Sequence, residues 1–363
     1  MINSIEFENF RGLKHLELPE LSQITLLTGR NNAGKSSVLE GIFLFMDHLS
    51  VNVSPFAKIN SFRRLVSDTR QPSYWESVFY DSRTENPLKI LMDLSGEKCS
   101  LIYSCVENTW SSEQKDEIVK TEGIPSVPNP FTAYTGATYS LTFEYKRGEY
   151  WEKGKYSMYE PISIQSFQTN LPNNQILYPP AIRYINPSLY DDNAVVSWLG
   201  NMELKNSKQQ IINALRIIEP EISDITTIYR QNVARLHIRV HGQLLPIQLA
   251  GDGLNRLLHI LLAILENPNS ILLIDEIETG FHYSVLESIW KVIAEAANIS
   301  SCQIIATTHS YECIQNAVSG IKVAGMDDNF CLYRVERRDG ENRAFRYDAE
   351  LTRFAVDTNM EVR

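Results

Sequence analysis

Apolar and polar positions alternate from the start of the chain. Ile5-Glu-Phe-Glu-Asn-Phe sends every second side chain to one face, the pattern of a half-buried strand. Gln23-Ile-Thr-Leu-Leu reads as a second, more deeply covered strand, and Ser37-Val-Leu-Glu-Gly-Ile-Phe-Leu-Phe reads as a buried helix. From about 85 the texture changes. Leu88-Lys-Ile-Leu-Met, Ser100-Leu-Ile-Tyr-Ser-Cys-Val, Tyr139-Ser-Leu-Thr-Phe-Glu-Tyr and Tyr156-Ser-Met-Tyr are β-rich runs with turn residues between them, which predicts antiparallel pairing. Within this region Thr121 to Gly136, with its prolines and glycines, reads as a loop. Asn193 to Ile218 is helical in pattern, and strands return at Asp224–Ile228 and Arg235–Val240. The last third alternates apolar strands and helices, as a parallel sheet with crossover helices does.

The chain thus divides into 1–84, the first part of an α/β unit; 85–165, an antiparallel β insertion; 166–244, a helical, connecting subdomain; and 245–363, the second part of the α/β unit. The sequence shows no internal repeat. Hydrophobic residues make up 43% of the 363, enough for a packed core. A formal charge of −10 argues against a basic coat for sequence-blind nucleic-acid binding. Arg63-Arg64 or Lys205 with Lys208 could belong to a local basic patch, but each pair reads more readily as ordinary solvated charge. Five cysteines without a C-x-x-C suggest reduced thiols, not a disulfide framework or zinc site. The N-terminus lacks a signal-like apolar core and no apolar run is long enough to span a bilayer, so the expectation is a cytoplasmic protein with no membrane association.

Chemistry enters where the second strand meets the buried helix. Gly29-Arg-Asn31-Asn32-Ala-Gly34-Lys35-Ser36-Ser37 fits G-x-x-x-x-G-K-[ST]. Glycines let successive backbone N–H groups converge on an anion, and the following helix aims its positive end at the same point. Lys35 would reach the β- and γ-phosphates of a nucleotide, and Ser36 would ligate Mg²⁺. Ser270-Ile-Leu-Leu-Ile-Asp275-Glu276 carries two acids at the carboxyl end of a buried strand. Asp275 would hold Mg²⁺, and Glu276 would orient or deprotonate the attacking water. Gln303-Ile-Ile-Ala-Thr-Thr-His309 ends in the same way, with a histidine able to sense or polarise the γ-phosphate. Upstream, Gly251-Asp252-Gly253-Leu-Asn-Arg256 opens an apolar helix and makes a second anion-binding turn. One nucleotide has no obvious use for both turns, so this one would serve the nucleotide of another subunit.

With FENFRGLK, GRNNAGKSS, AGDGLNR, LLIDEIETGFHYSVL and ATTHS in this order, the chain resembles the ABC-type ATPase heads of the RecF, SMC and overcoming-lysogenization-defect (OLD) group. The nearest likeness is to OLD-like ATPases, many of which act in bacterial anti-phage defence. The resemblance implies an α/β P-loop NTPase of ABC-head type: a mixed sheet with flanking helices, an antiparallel β insertion and a helical subdomain. It implies ATP and Mg²⁺ as cofactors. Gly29 to Ser37 would form Walker A, Asp275 the Walker B acid, Glu276 the catalytic base and His309 the switch histidine. Gly251, Asp252, Gly253 and Arg256 would form the signature, acting in trans, and Glu278 to His282 the D-loop. Arg11, in the FRG motif, would lie near the nucleotide, and Gln71 or Gln165 would supply the Q-loop. The signature departs from LSGGQ, with glycine for the serine and Asp252 for the first glycine.

The family sandwiches ATP between two heads, so a homodimer or higher homo-oligomer is implied. The stretch after His309 is too short for the TOPRIM nuclease domain of OLD proteins, so a nuclease or toxin effector is expected on a separate chain. The alternative is a RecF- or SMC-like ATPase that binds DNA in repair or maintenance. A small-molecule kinase would leave the signature and the switch histidine without a purpose.

Overall fold

The computed structural model describes residues 1–49, 55–63, 75–108, 138–157, 164–171, 179–187, 192–231, 233–358 and 360–362. The loop expected at Thr121–Gly136 lies outside the described residues, as do Gln71 and the side chain of Gln165.

The N-terminal strands β1 (Ile2–Phe10) and β2 (Leu13–Leu18) form a hairpin, and β3 (Ile24–Thr28) leads into helix α1 (Lys35–Met46), followed by the short α2 (Pro55–Phe62). Strands β4 (Leu88–Leu94), β5 (Glu97–Asn108), β6 (Thr138–Arg147), β7 (Tyr150–Ser157) and β8 (Ile164–Thr169) continue the hairpin. Together they make one seven-stranded sheet in the order β2-β1-β4-β5-β6-β7-β8. The β-rich runs therefore extend the first hairpin, with β1 paired antiparallel to β4 from Ile2↔Leu94 to Glu8↔Lys89.

The second sheet has six strands in the order β16-β15-β3-β14-β13-β9, drawn from both ends of the chain. Its members are β9 (Ile182–Ile185), β13 (Ile271–Ile274), β14 (Gln303–Thr307), β15 (Phe330–Arg338) and β16 (Glu341–Asp348), with β3 near the middle. All pair in parallel except the final β15–β16 hairpin. Between β9 and β13 lie α3 (Asp192–Leu204), α4 (Lys208–Leu215) and a three-stranded sheet, β10 (Ile222–Arg230), β11 (Val233–Val240) and β12 (Gln243–Pro246). The two strands expected at 224–228 and 235–240 lie within β10 and β11, and β12 joins them in a sheet beside the helices. Helix α5 (Asp252–Leu265) precedes β13, α6 (Leu286–Ser300) and α7 (Tyr311–Val323) flank β14, and α8 (Ala349–Asp357) closes the chain.

Helix α1 is apolar nearly all round because it is covered on all sides. It shares one buried cluster with the inner faces of both large sheets, through Phe7 and Phe10 on one and Leu27, Leu273 and Ile305 on the other. Gly41 allows this approach: a Cβ there would collide with the Phe7 ring. The outer face of the six-stranded sheet is covered by α5, α6 and α7, with Trp290 fully buried. Among the described residues no helix is long and apolar enough to cross a membrane.

Candidate nucleotide and metal site

The loop from β3 to α1 has the backbone that its glycines predict. Gly29 has φ 140° and Gly34 φ 108°, and a Cβ on either would run into the Val335 carbonyl or the Leu13 side chain. Gly34 sits at the start of α1 with no side-chain cap, so the first amides of the helix are left to meet an anion. Lys35 is buried and folds back over the loop. Its Nζ donates to the carbonyls of Gly29 (2.7 Å) and Arg30 (3.1 Å) and lies 3.3 Å from His309 Nδ1. Burial lowers its pKa to about 8, against the opposing pull of Asp275, Glu278 and Glu276.

Three parallel strands deliver the remaining groups to the same end of the sheet, the carboxyl ends where open α/β sheets bind ligands. Asp275 follows β13, and its Oδ1 accepts from Ser36 Oγ (3.1 Å) and Thr307 Oγ1 (2.6 Å). Its Oδ2 accepts from the Tyr184 hydroxyl (3.3 Å). Glu276 has a left-handed backbone, φ 46°, and its N–H donates to Thr307 Oγ1 (2.8 Å). This turn points the Glu276 carboxylate at the cavity, where Thr279 Oγ1 donates to it (3.3 Å). His309 follows β14, its backbone N–H held by Glu278 Oε1 (2.8 Å). Asn31, Asn32, Gly34, Lys35, Ser36, Ser37, Asp275, Glu276 and His309 all line one cavity of about 570 Å³. The Ser36 hydroxyl and the Asp275 carboxylate present hard oxygen donors side by side, which suits Mg²⁺.

Two residues expected at a nucleotide are engaged within their own chain. Arg256 does not face a partner's nucleotide: it is fully buried, and its Nη2 donates to the carbonyls of Asp275 (2.7 Å) and Glu276 (2.8 Å) of its own chain. The apolar stripe of α5 carries it inward together with Ile260 and Ala263. Arg11 stands behind the cavity wall, its Nε 2.9 Å from Glu40 Oε2 and its Nη2 donating to Asn60 Oδ1 (2.8 Å). Gly253 is also committed within the chain, since a Cβ there would lie 2.5 Å from the Gly280 carbonyl oxygen. Gly251 and Asp252 are exposed at the head of α5 and do not line the cavity.

Sequence reasoning missed several groups in the cavity. Arg63, read as solvated charge, donates to both oxygens of the buried Glu40 carboxylate and to Ser37 Oγ, and it lines the cavity. Thr307 and Tyr184 hold Asp275. Gln165 belongs to β8, the edge strand of the other sheet. Asn186, just past β9, lines the cavity, and its side-chain amide donates to the Phe62 carbonyl (2.9 Å).

The family model described as "AAA domain, putative AbiEii toxin, Type IV TA system" matches residues 24–314. A Helicobacter pylori protein named ATP/GTP phosphatase is 23% identical over 98% of this chain and the whole of its own length. The DNA replication and repair protein RecF of Coxiella burnetii is 29% identical over 114 residues, 31% of this chain and 30% of that protein. Among solved structures, an SMC head bound to the C-winged helix domain of ScpA aligns with a TM-score of 0.53 at 14% identity, over 96% of this chain and 97% of that one. The Pyrococcus furiosus Smc head bound to the C-terminal domain of ScpA gives 0.51 at 11% identity, over 99% of both chains. The fold is that of a P-loop ATPase head, as the motifs implied.

Proposed function

The chain belongs to this AAA-domain family of P-loop ATPases, and from that premise we propose that it is an ATP-hydrolysing head whose ATP-dependent pairing switches a separate effector. The convergence of Lys35, Ser36, Asp275, Glu276 and His309 on one cavity carries this reading. The loop amides and the start of α1 would take the phosphates, and Lys35 would turn from the Gly29 and Arg30 carbonyls to the β- and γ-oxygens. Ser36 and Asp275 would hold Mg²⁺, which when bound would neutralise charge on the phosphates. Glu276 accepts the proton of the attacking water, and His309, beside Lys35, stands near the γ-phosphate.

The exposed turn at Gly251 and Asp252 serves the nucleotide of a second copy. Its surroundings support this role: Leu249 is 74% exposed just before it, and Tyr283 is 66% exposed just after the neighbouring turn that contains Gly280. Large apolar side chains bared around a polar anion-binding turn suit a transient interface. A two-fold pair would hold two equivalent composite sites, closed by ATP and released by hydrolysis.

The matched family's description includes the words "putative AbiEii toxin, Type IV TA system", which supports a role in conflict with phage, as the OLD-like motifs do. On this reading the effector is a nuclease or toxin on another chain. The RecF match supports a second reading, a DNA-associated head in repair. ATP-dependent retention of DNA by the purified protein alone would select that reading. The first test of the shared core is Lys35→Ala, which should abolish tight ATP binding, measured by calorimetry, while the protein stays folded. Unchanged affinity would remove the Walker A role.

A further inference from the structure

Asp275 is held on both oxygens, and the holder of the second is an aromatic side chain from a different part of the chain. Tyr184 lies on β9, whose register with β13 pairs Tyr184 with Leu273 and Ile185 with Ile274. Its hydroxyl reaches Asp275 Oδ2 at 3.3 Å. An ordinary phenol keeps its proton at physiological pH, so the hydroxyl is the donor to the carboxylate. The ring is itself clamped. Phe62, the last residue of α2, stacks on it with centroids 4.0 Å apart and planes 5° from parallel, and Phe43 meets both rings edge-on. The next residue, Arg63, ties the end of α2 to Glu40 and Ser37 of α1, and Asn186 ties it to the end of β9.

We propose that Tyr184 is a positioning residue of the metal site, acting through Asp275, and that Phe62 of α2 sets its orientation. The proposal rests on the reading of Ser36 and Asp275 as the Mg²⁺ site. With Ser36 and Thr307 on Oδ1 and Tyr184 on Oδ2, the carboxylate cannot rotate without breaking bonds on both sides. Its plane is fixed before the cation arrives, so the reorganisation otherwise needed on metal binding is already made. The same contacts give α2 a mechanical route to the chemistry. A displacement of Phe62 frees the Tyr184 ring, and the freed ring releases Asp275.

The test uses the full chain, a fluorescent ATP analogue and Mg²⁺. Analogue binding is titrated with Mg²⁺, and separately in EDTA, for wild type, Tyr184→Phe and Phe62→Leu. Tyr184→Phe keeps the stacked ring and loses only the hydroxyl. It should raise the Mg²⁺ concentration for half-maximal enhancement about fivefold, as loss of one ordinary hydrogen bond does, with EDTA affinity unchanged and the fold retained. Phe62→Leu should shift the Mg²⁺ midpoint in the same direction, and Phe62→Tyr, which restores a stacking ring, should return it to the wild-type value. An Mg²⁺ midpoint for Tyr184→Phe within twofold of wild type would overturn the proposal. So would a parallel loss of affinity in EDTA, which marks a merely structural tyrosine. If wild type itself shows no Mg²⁺-dependent binding, the metal-site reading falls and the proposal falls with it.

Discussion

Replacing Arg256 with methionine separates the two roles this arginine could have. A signature residue that contacts a partner's nucleotide would be exposed in the single chain, and its loss would change stability by no more than about 0.5 kcal/mol. In the structure it is fully buried and donates at 2.7 and 2.8 Å to the carbonyls that open the Asp275–Glu276 turn. Methionine fills a similar volume but leaves the Asp275 carbonyl without its donor, while the Glu276 carbonyl keeps the Thr279 N–H at 3.0 Å. An unsatisfied buried acceptor costs about 1–3 kcal/mol, and relief from burying the guanidinium charge offsets part of the sum. The expected loss is therefore about 1–2 kcal/mol. Urea unfolding of the nucleotide-free protein measures it directly. Turnover should fall as well, because the left-handed Glu276 backbone loses its support. A variant with wild-type unfolding and lost turnover would refute the cis assignment and restore Arg256 to the trans site.

Asp252 is a better probe of the composite site than Gly253, whose Cβ would strike the Gly280 carbonyl within its own chain. Asp252→Trp should cost under about 1 kcal/mol in unfolding experiments, from loss of an acid at a helix start, yet abolish turnover. Mixing it with Lys35→Ala should recover part of the activity, since one composite site is then intact, and no recovery in proven heterodimers would count against the sandwich. Lys35 gives a pH signature. Its folded pKa of about 8 lies below the ordinary 10.5, so folding disfavours the charged form. The resulting destabilisation is complete below about pH 8 and fades as pH rises toward 10.5. The stability of Lys35→Met relative to wild type should therefore decline over that window in thermal melts of nucleotide-free protein. A difference independent of pH would show that the lysine is not desolvated.

What the sequence made legible was local chemistry with a distinctive spacing. The Gly29–Ser37 loop, the strand that ends in Asp275-Glu276 and the one that ends at His309 are each contiguous, and each identifies itself. The groups that hold them come from afar. Tyr184 sits on a four-residue strand with no chemical motif, and only the parallel register with β13 brings it to Asp275. Arg63 looked solvated because its buried partner, Glu40, lies inside an apolar helix that reads as core. The Arg256 contact was within reach of pattern alone. It falls four residues before Ile260 and seven before Ala263, on the buried stripe of α5, but the signature resemblance drew attention to the exposed end of that helix. The sheets followed the same rule. The β-rich runs were visible, whereas their pairing with β1, which joins residues 2–8 to 89–94, was not.

The claim that ATP closes two heads and hydrolysis by way of Glu276 reopens them is tested most directly by Glu276→Gln on a sizing column. The amide keeps the shape and the contact with Thr279 but cannot accept a proton. Lys35, Ser36 and Asp275 are untouched, so ATP and Mg²⁺ should still load. Turnover should drop about 10²-fold or more, and ATP should hold the variant in a larger species long after wild type has returned to its starting size. Near-normal hydrolysis by Glu276→Gln, or no ATP-dependent change in size when hydrolysis is blocked, would contradict the account.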